Sequence, residues 1–228
     1  MNKKRLMILI AAVLVLGIGV YFAYRFQLIP HKMYENADFG ITPYVSPWDK
    51  DGDGIDDQSD ILAGVRAYLA TSPKYKSEYY EGGYPPGEYG VCTDVVAFGL
   101  LAAGYDLREL VDSHIRAHPE QYPAAPRPDK NIDFRRVRNL LVWFRGNAEE
   151  LTADPAQIDQ WQGGDIVIFQ GHIGVVSDKR NRRGVPFVLH HGSSLQIGYE
   201  QDVLDTRGDI VAHFRFRGDL LEAKEERP

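Results

Sequence analysis

Between Arg5 and Arg25 the chain carries no charge: LMILIAAVLVLGIGVYFAY, Leu6 to Tyr24. A backbone taken into hydrocarbon must satisfy its own N–H and C=O groups, and a lone segment can do so only as a helix. At about 1.5 Å per residue that helix would measure about 28 Å, close to the roughly 30 Å of a bilayer's hydrocarbon core. Lys3, Lys4 and Arg5 precede it, and clustered positive charge stays on the cytoplasmic side. Residues 1–25 therefore read as a cytoplasmic stub and single-pass signal-anchor at the cell membrane. The lipid bilayer is the expected partner of residues 6–24, and everything after them is extracytoplasmic. A cleaved leader is the competing reading, but its apolar region is shorter than this one and no good cleavage site stands before Tyr21.

The formal net charge is −6, and its distribution is uneven. Lys3, Lys4, Arg5 and Arg25 lie before position 30, where no acidic residue occurs, so the exported part is more acidic than the whole. That argues against nucleic acid as a partner, since phosphate binding needs clustered cations. The chain holds one cysteine, Cys92, which excludes an internal disulfide in an oxidising compartment. Its thiol is either buried or kept for chemistry.

Residues 26–47 hold Pro30, Pro43 and Pro47 with little periodicity and read as an extracytoplasmic linker. DKDGDGIDDQSD follows at 49–60, with acids at loop positions 1, 3, 5, 9 and 12 and glycine at 6. This is the spacing of an EF-hand-type calcium loop. Asp49, Asp51, Asp53, Asp57 and Asp60 would converge on one Ca2+, joined by the carbonyl of Ile55, while Gly54 permits the turn. The expected role is structural, because a thiol mechanism needs no cofactor. Two departures are plain: position 12 is Asp rather than Glu, and no helix precedes the loop. The bland alternative is an acidic turn that caps the next helix.

Ile61, Leu62, Val65 and Leu69 fall at helical spacing within 59–71. A loop rich in tyrosine, glycine and proline then leads into GVCTDVVAFGLLAAGY, a second helix ended by Gly104. Leu107, Leu110, Val111, His114 and Ile115 mark a third, and prolines at 119, 123, 126 and 128 a rigid loop. Residues 133–145 read as a fourth helix with Arg135, Arg136 and Arg138 on a solvated basic face. From 161 the period becomes that of strands: WQGGDIVIFQ, GHIGVVSDKR, VPFVLHHG and DIVAHFRFRG, with NRRG as a hairpin tip. The reading is one α+β domain over 48–218, helices first and then an antiparallel sheet of about four to six strands, with a polar tail at 219–228.

Cys92 opens its helix, where the partial positive charge of the N-terminus favours thiolate by about one pKa unit at most. That is too little alone, so a nucleophile here needs an imidazole and a third group to hold it. His172 opens one strand, and His190 and His191 close another. Successive strand residues face opposite ways, so only one of the pair can point at His172, and periodicity does not choose.

GVCTDVV, WQGGDIVIFQGHIGVVSD and FVLHHG, in this order, resemble the NlpC/p60 type of papain-like bacterial peptidases. GVCTD with NIDFRRV, WQGGDIV and HIGVVSD is similar to the domain-of-unknown-function 1287 family, often grouped with them. The resemblance covers roughly residues 60–218. It implies a papain-like fold, Cys92 as nucleophile, His172 as general base and His190 as the orienting residue. It also implies a substrate cleft near the thiol, lined by Tyr80, with Thr93, Asp94, Asp165 and His191 beside it. Thr93 stands where serine is usual, and KRNRRGVP lengthens the connection between His172 and His190. The implied activity is hydrolysis of amide bonds in peptidoglycan or other peptides. Two rivals use the same residues: a non-catalytic, calcium-ordered surface module, and a cysteine acyltransferase.

Overall fold

Asn2 accepts the Lys4 N–H on its side-chain oxygen at 3.2 Å and starts helix α1, Lys3–Arg25. This helix is long and apolar enough to cross a membrane. It buries none of its side chains, so lipid rather than a protein core is the environment its surface suits. The chain divides into two compact units after Lys32. The computed structural model describes residues 2–221.

The second unit begins earlier than its prolines suggest. Tyr34 and Arg180 exchange both backbone hydrogen bonds at 2.8 Å, and a 3-10 turn, Asn36–Phe39, follows. Asn36 and Ile41 are buried. The expected linker of 26–47 is thus folded from 33 onward, and the domain starts before 48. Backbone pairing needs no side-chain periodicity, which is why the segment looked like a tether.

Helix α2, Asp57–Ala70, is capped by Asp56, which accepts the Ser59 N–H, and it buries Ile61, Val65 and Leu69. It packs closely on α3, Cys92–Ala102. A side chain at Gly64 would sit 2.3 Å from Ala102 Cβ, and one at Gly99 would sit 2.6 Å from Val65. Only glycine allows that approach. Gly104 takes φ +82 and closes α3, with its own N–H on Leu101 and that of Tyr105 on Leu100. Helix α4, Leu107–Ala117, and α5, Val137–Asn147, complete the layer. The helix expected over 133–145 is broken instead. Residues 133–135 form a 3-10 turn, and Arg136 is extended at φ −108, ψ 114.

A short parallel ribbon, β1 (Lys74–Tyr75) with β2 (Tyr89–Gly90), borders the tyrosine-rich loop. The main sheet contains β3 (Ala148–Leu151), β4 (Ile166–Phe169), β5 (His172–Arg180), β6 (Pro186–Leu189), β7 (Glu200–Gln201) and β8 (Ile210–Phe216). Its six strands run antiparallel in the order β3-β8-β4-β5-β6-β7. The α+β class and the order of helices before sheet follow as read.

The sheet's two faces bury different sets. Ile166, Ile168, Ile173, Val175, Leu189 and Phe214 join the core under the helices. Val167, Phe169, Val176 and Val188 join Trp161 and Leu204 in a smaller cluster on the other face. At the C-terminus, 219–221 begin a helical turn, and the rest of the expected polar tail, 222–228, lies outside the described residues.

Candidate functional site

The start of α3 is held by a buried ion pair. Asp94, in the helix's first turn, accepts the Val91 N–H at 2.8 Å and receives both arms of the Arg135 guanidinium at 2.7 and 2.9 Å. Arg135 also donates to the Glu78 carbonyl at 2.6 Å and lies over the Tyr80 ring at 4.9 Å. The pair thereby fastens the tyrosine-rich loop to the helix that carries the thiol. This corrects two expectations. Arg135 is not on a solvated face, and Asp94 does not line a cleft, since both side chains are almost wholly buried. A buried carboxylate needs a cation more than the surface does, and sequence periodicity does not register that demand.

Cys92 is partly buried and packs against the helix-side core. Burial pushes its thiol up, the Ile173 N–H pulls it down, and the Asp94 carboxylate pushes it up again. The thiolate-favouring field of the helix is thus outweighed, and the resting sulfur carries its proton. Ile173, whose N–H acts on the thiol, is next to His172 on β5, but the two side chains face opposite sides of the sheet. Among the described residues no hydrogen bond joins Sγ to an imidazole.

His172 Nε2 and His190 Nδ1 lie 3.0 Å apart, with their rings edge-on at 83°. Val176 and Val188 mark the same sheet face for both, the one away from the helices. His191 takes the opposite parity, and its ring meets Tyr75 at 5.3 Å and Tyr199 at 5.1 Å. The alternation therefore selects His190 as the partner of His172. Burial, and then Arg207, hold His172 down at about 4. Burial and the neighbouring His172 hold His190 at about 3. Both rings are neutral at pH 7. His190 Nε2 is buried beside Gln201 without a well-formed hydrogen bond, and His191 Nδ1 and the Tyr80 hydroxyl oxygen are also buried without partners.

Two other expected cleft residues belong to the scaffold. Thr93 is buried and donates to the Arg135 carbonyl at 3.4 Å. Asp165 is fully buried and accepts from Arg215 Nε and Nη2 at 2.8 Å each, from Gln58 at 2.9 Å and from the Gln162 N–H at 2.8 Å. His213 completes that set at 3.0 Å, stacked on Trp161. The glycine-aspartate turn before β4 is a buried hub rather than a cleft wall. A cavity of about 340 Å³ beside Tyr44, Gln58 and Gln162 contains none of Cys92, His172 and His190.

Sequence reasoning also missed Arg207, which stands 4.5 Å over the Phe169 ring and faces the imidazole pair with its charge. Nothing in its surroundings (DTRGD) marks it.

The acidic loop divides. Asp49, Asp51 and Asp53 each bring a carboxylate oxygen within 4.8 Å of the others. Asp57 does not join them. Its oxygens accept the Lys50 N–H at 2.8 Å and the Tyr105 hydroxyl at 2.6 Å, because the first residue of α2 faces the core. Ile55 is half-exposed and gives its N–H to Asp53.

Fold and site together define an α+β domain, following an apolar helix in the chain, with one thiol at a helix start. Its imidazole pair stands at the start of β5 and the end of β6, on the sheet face away from the helices. The chain belongs to the family described as domain of unknown function DUF1287, which it matches over residues 62–216. It is 39% identical over 169 residues to the uncharacterized protein YijF of Escherichia coli (strain K12), over 68% of this chain and 80% of that one. No solved structure matches it. The family match takes in Cys92, His172 and His190 and leaves out the acidic loop.

Proposed function

We propose that the chain is a membrane-anchored, extracytoplasmic cysteine hydrolase that cleaves amide bonds in peptidoglycan peptides. One observation supports the reading: α3, which opens at Cys92, packs on β5, which opens at His172, and His172 pairs with His190 at 3.0 Å. The resemblance of the motifs to NlpC/p60 peptidases supports the same assignment, and the apolar α1 supports the address outside the membrane.

The mechanism is acyl transfer from a neutral pair rather than from a preformed thiolate. His172 spends Nε2 on His190, so Nδ1 is the nitrogen left to take the thiol proton. Because the pair rests on the sheet face away from the helices, the reaction requires the His172 ring, at the first residue of β5, to swing past the strand's end to the α3 side. The tautomer follows: His172 donates from Nε2–H to His190 Nδ1, which holds the ring as the base of a triad requires. Sulfur attacks the amide carbonyl, and the Cys92 N–H at the start of α3 steadies the oxyanion. His172 returns the proton to the leaving amine, the C–N bond breaks, and a thioester remains. Water activated by the same imidazole then releases the acid and the thiol.

A second reading has an observation of its own. The raised thiol suits a non-catalytic surface module in which Cys92 is a packed side chain. Digestion of wall fragments by the full chain in detergent, read by mass spectrometry, separates the two. Hydrolysis predicts new free amine and carboxyl ends that vanish with Cys92→Ala and with His172→Ala. Turnover that survives Cys92→Ala would refute it. Products carrying an added amine acceptor would indicate the acyltransferase instead.

A further inference from the structure

The acids of residues 49–60 are not all accounted for by the fold. Asp56 caps α2 and also accepts the Ser46 N–H at 2.8 Å, and Asp57 is consumed by Lys50 and Tyr105. Asp60 differs from both. It is 8% exposed, and its Oδ2 is buried without any hydrogen-bond partner. Leaving a carboxylate oxygen in that state costs free energy unless something compensates it. The carboxylates of Asp53, Asp51, Asp49 and Asp56 all repel its charge.

Among the described residues no ion pair neutralises Asp49, Asp51, Asp53 or Asp60, although three of these carboxylates meet within 4.8 Å. Asp49 accepts the Gly52 and Gly54 N–H groups, Asp51 that of Asp53 and Asp53 that of Ile55, so the loop's own backbone orients these three carboxylates toward one another. The orphaned oxygen of Asp60 belongs to the twelfth position of the same loop, where a calcium loop closes on its ion. The missing partner of Asp60 and the missing counter-charge of the cluster therefore have one solution.

We propose that residues 49–60 bind one calcium ion through the carboxylates of Asp49, Asp51, Asp53 and Asp60 and the carbonyl of Ile55. Asp57 is outside the ligand set. Carboxylate and carbonyl oxygens select a hard cation, and a loop with this many of them in flexible geometry suits calcium over the smaller, strictly octahedral magnesium. The ion would tie the loop to the first turn of α2, the helix packed through Gly64 and Gly99 on the helix of Cys92. Its role is to fix the platform behind the thiol, with no part in bond cleavage.

The test is thermal unfolding of the full chain in detergent, in EDTA, in millimolar calcium chloride and in millimolar magnesium chloride. An affinity in the weak extracellular range predicts a calcium-dependent rise in Tm of roughly 2–6 °C. Magnesium gives a smaller rise. Terbium supplies a second readout, because Trp48 directly precedes Asp49 and sensitises emission from an ion held there. Asp60→Asn keeps the shape of the side chain and removes an uncompensated charge, so in EDTA it is as stable as the wild type or more so. It loses both the calcium shift and the terbium emission. The exposed Asp51→Asn does the same, and it decides the matter if Asp60→Asn fails to fold. No calcium shift and no sensitised emission in the wild type would overturn the site. So would a calcium shift that persists in both variants, or an equal shift with magnesium.

Discussion

His172 Nε2 faces His190 Nδ1 at 3.0 Å, and among the described residues no carboxylate hydrogen-bonds either ring. This neutral imidazole pair distinguishes the site from one built on a thiolate–imidazolium ion pair, and it determines how the protein responds to pH.

His172 and His190 titrate at about 4 and about 3 in the folded chain, below the ordinary 6.5 or so of an exposed histidine. Above pH 7 both states are neutral and the pair contributes nothing to pH dependence. As pH falls through about 6.5 the unfolded chain takes up protons that the folded chain refuses, so stability declines until the folded values are passed. Urea unfolding at pH 7.5 and pH 5 will show a lower midpoint at pH 5, and His190→Gln will reduce the difference. In the hydrolase reading kcat/KM stays level below neutrality and falls only toward pH 4, where His172 gains its proton.

In the hydrolase reading His190 acts through His172 and is a positioning residue. His190→Ala should lower kcat by about 10²-fold with KM little changed, a loss within the usual range for a disturbed acid–base group. His190→Asn should recover part of it, since a carboxamide oxygen can still accept from Nε2–H. His191→Ala should leave kcat nearly unchanged, because that ring packs against Tyr75 and Tyr199 and is not the hydrogen-bond partner of His172. Equal losses from both alanine variants would contradict the assignment.

Two buried ion clusters hold the scaffold. Arg135→Met leaves the Asp94 carboxylate buried and unpaired, and Asp165→Ala does the reverse to Arg215. Each should cost about 3–5 kcal/mol in denaturant unfolding. The two lie on separate elements, so in the double variant the losses should add.

The thiol supplies another measurement. Burial and Asp94 push Cys92 up, so iodoacetamide should alkylate it more slowly than free cysteine at pH 7, the rate climbing through a midpoint above that of the free thiol. Liquid chromatography with mass spectrometry of the alkylated peptide gives the rate directly. Faster labelling at pH 7 would point to a preformed thiolate.

Much of this was legible beforehand. The 3.6-residue spacing of Ile61, Val65 and Leu69 placed α2, and the apolar runs of IVIF and HIGVV placed β4 and β5. Strands β3 and β7, AEEL and EQ, are short and polar and gave no alternation to read. The choice between His190 and His191 was illegible for a definite reason. Val188 and Leu189 are both buried, on opposite faces, so the strand has no polar side from which to set the phase. Arg135 and Asp94 were misread because each is charged, and their burial depends on a partner 41 positions away.

The account depends on sulfur and imidazole sharing one reaction. The most direct measurement is an acid quench of the full chain during turnover of a wall-peptide fragment, followed by mass spectrometry of the peptide that contains Cys92. The account predicts a hydroxylamine-labile acyl adduct on Cys92 in the wild type and none in His172→Ala. No adduct during turnover, or an equal adduct in His172→Ala, would contradict it.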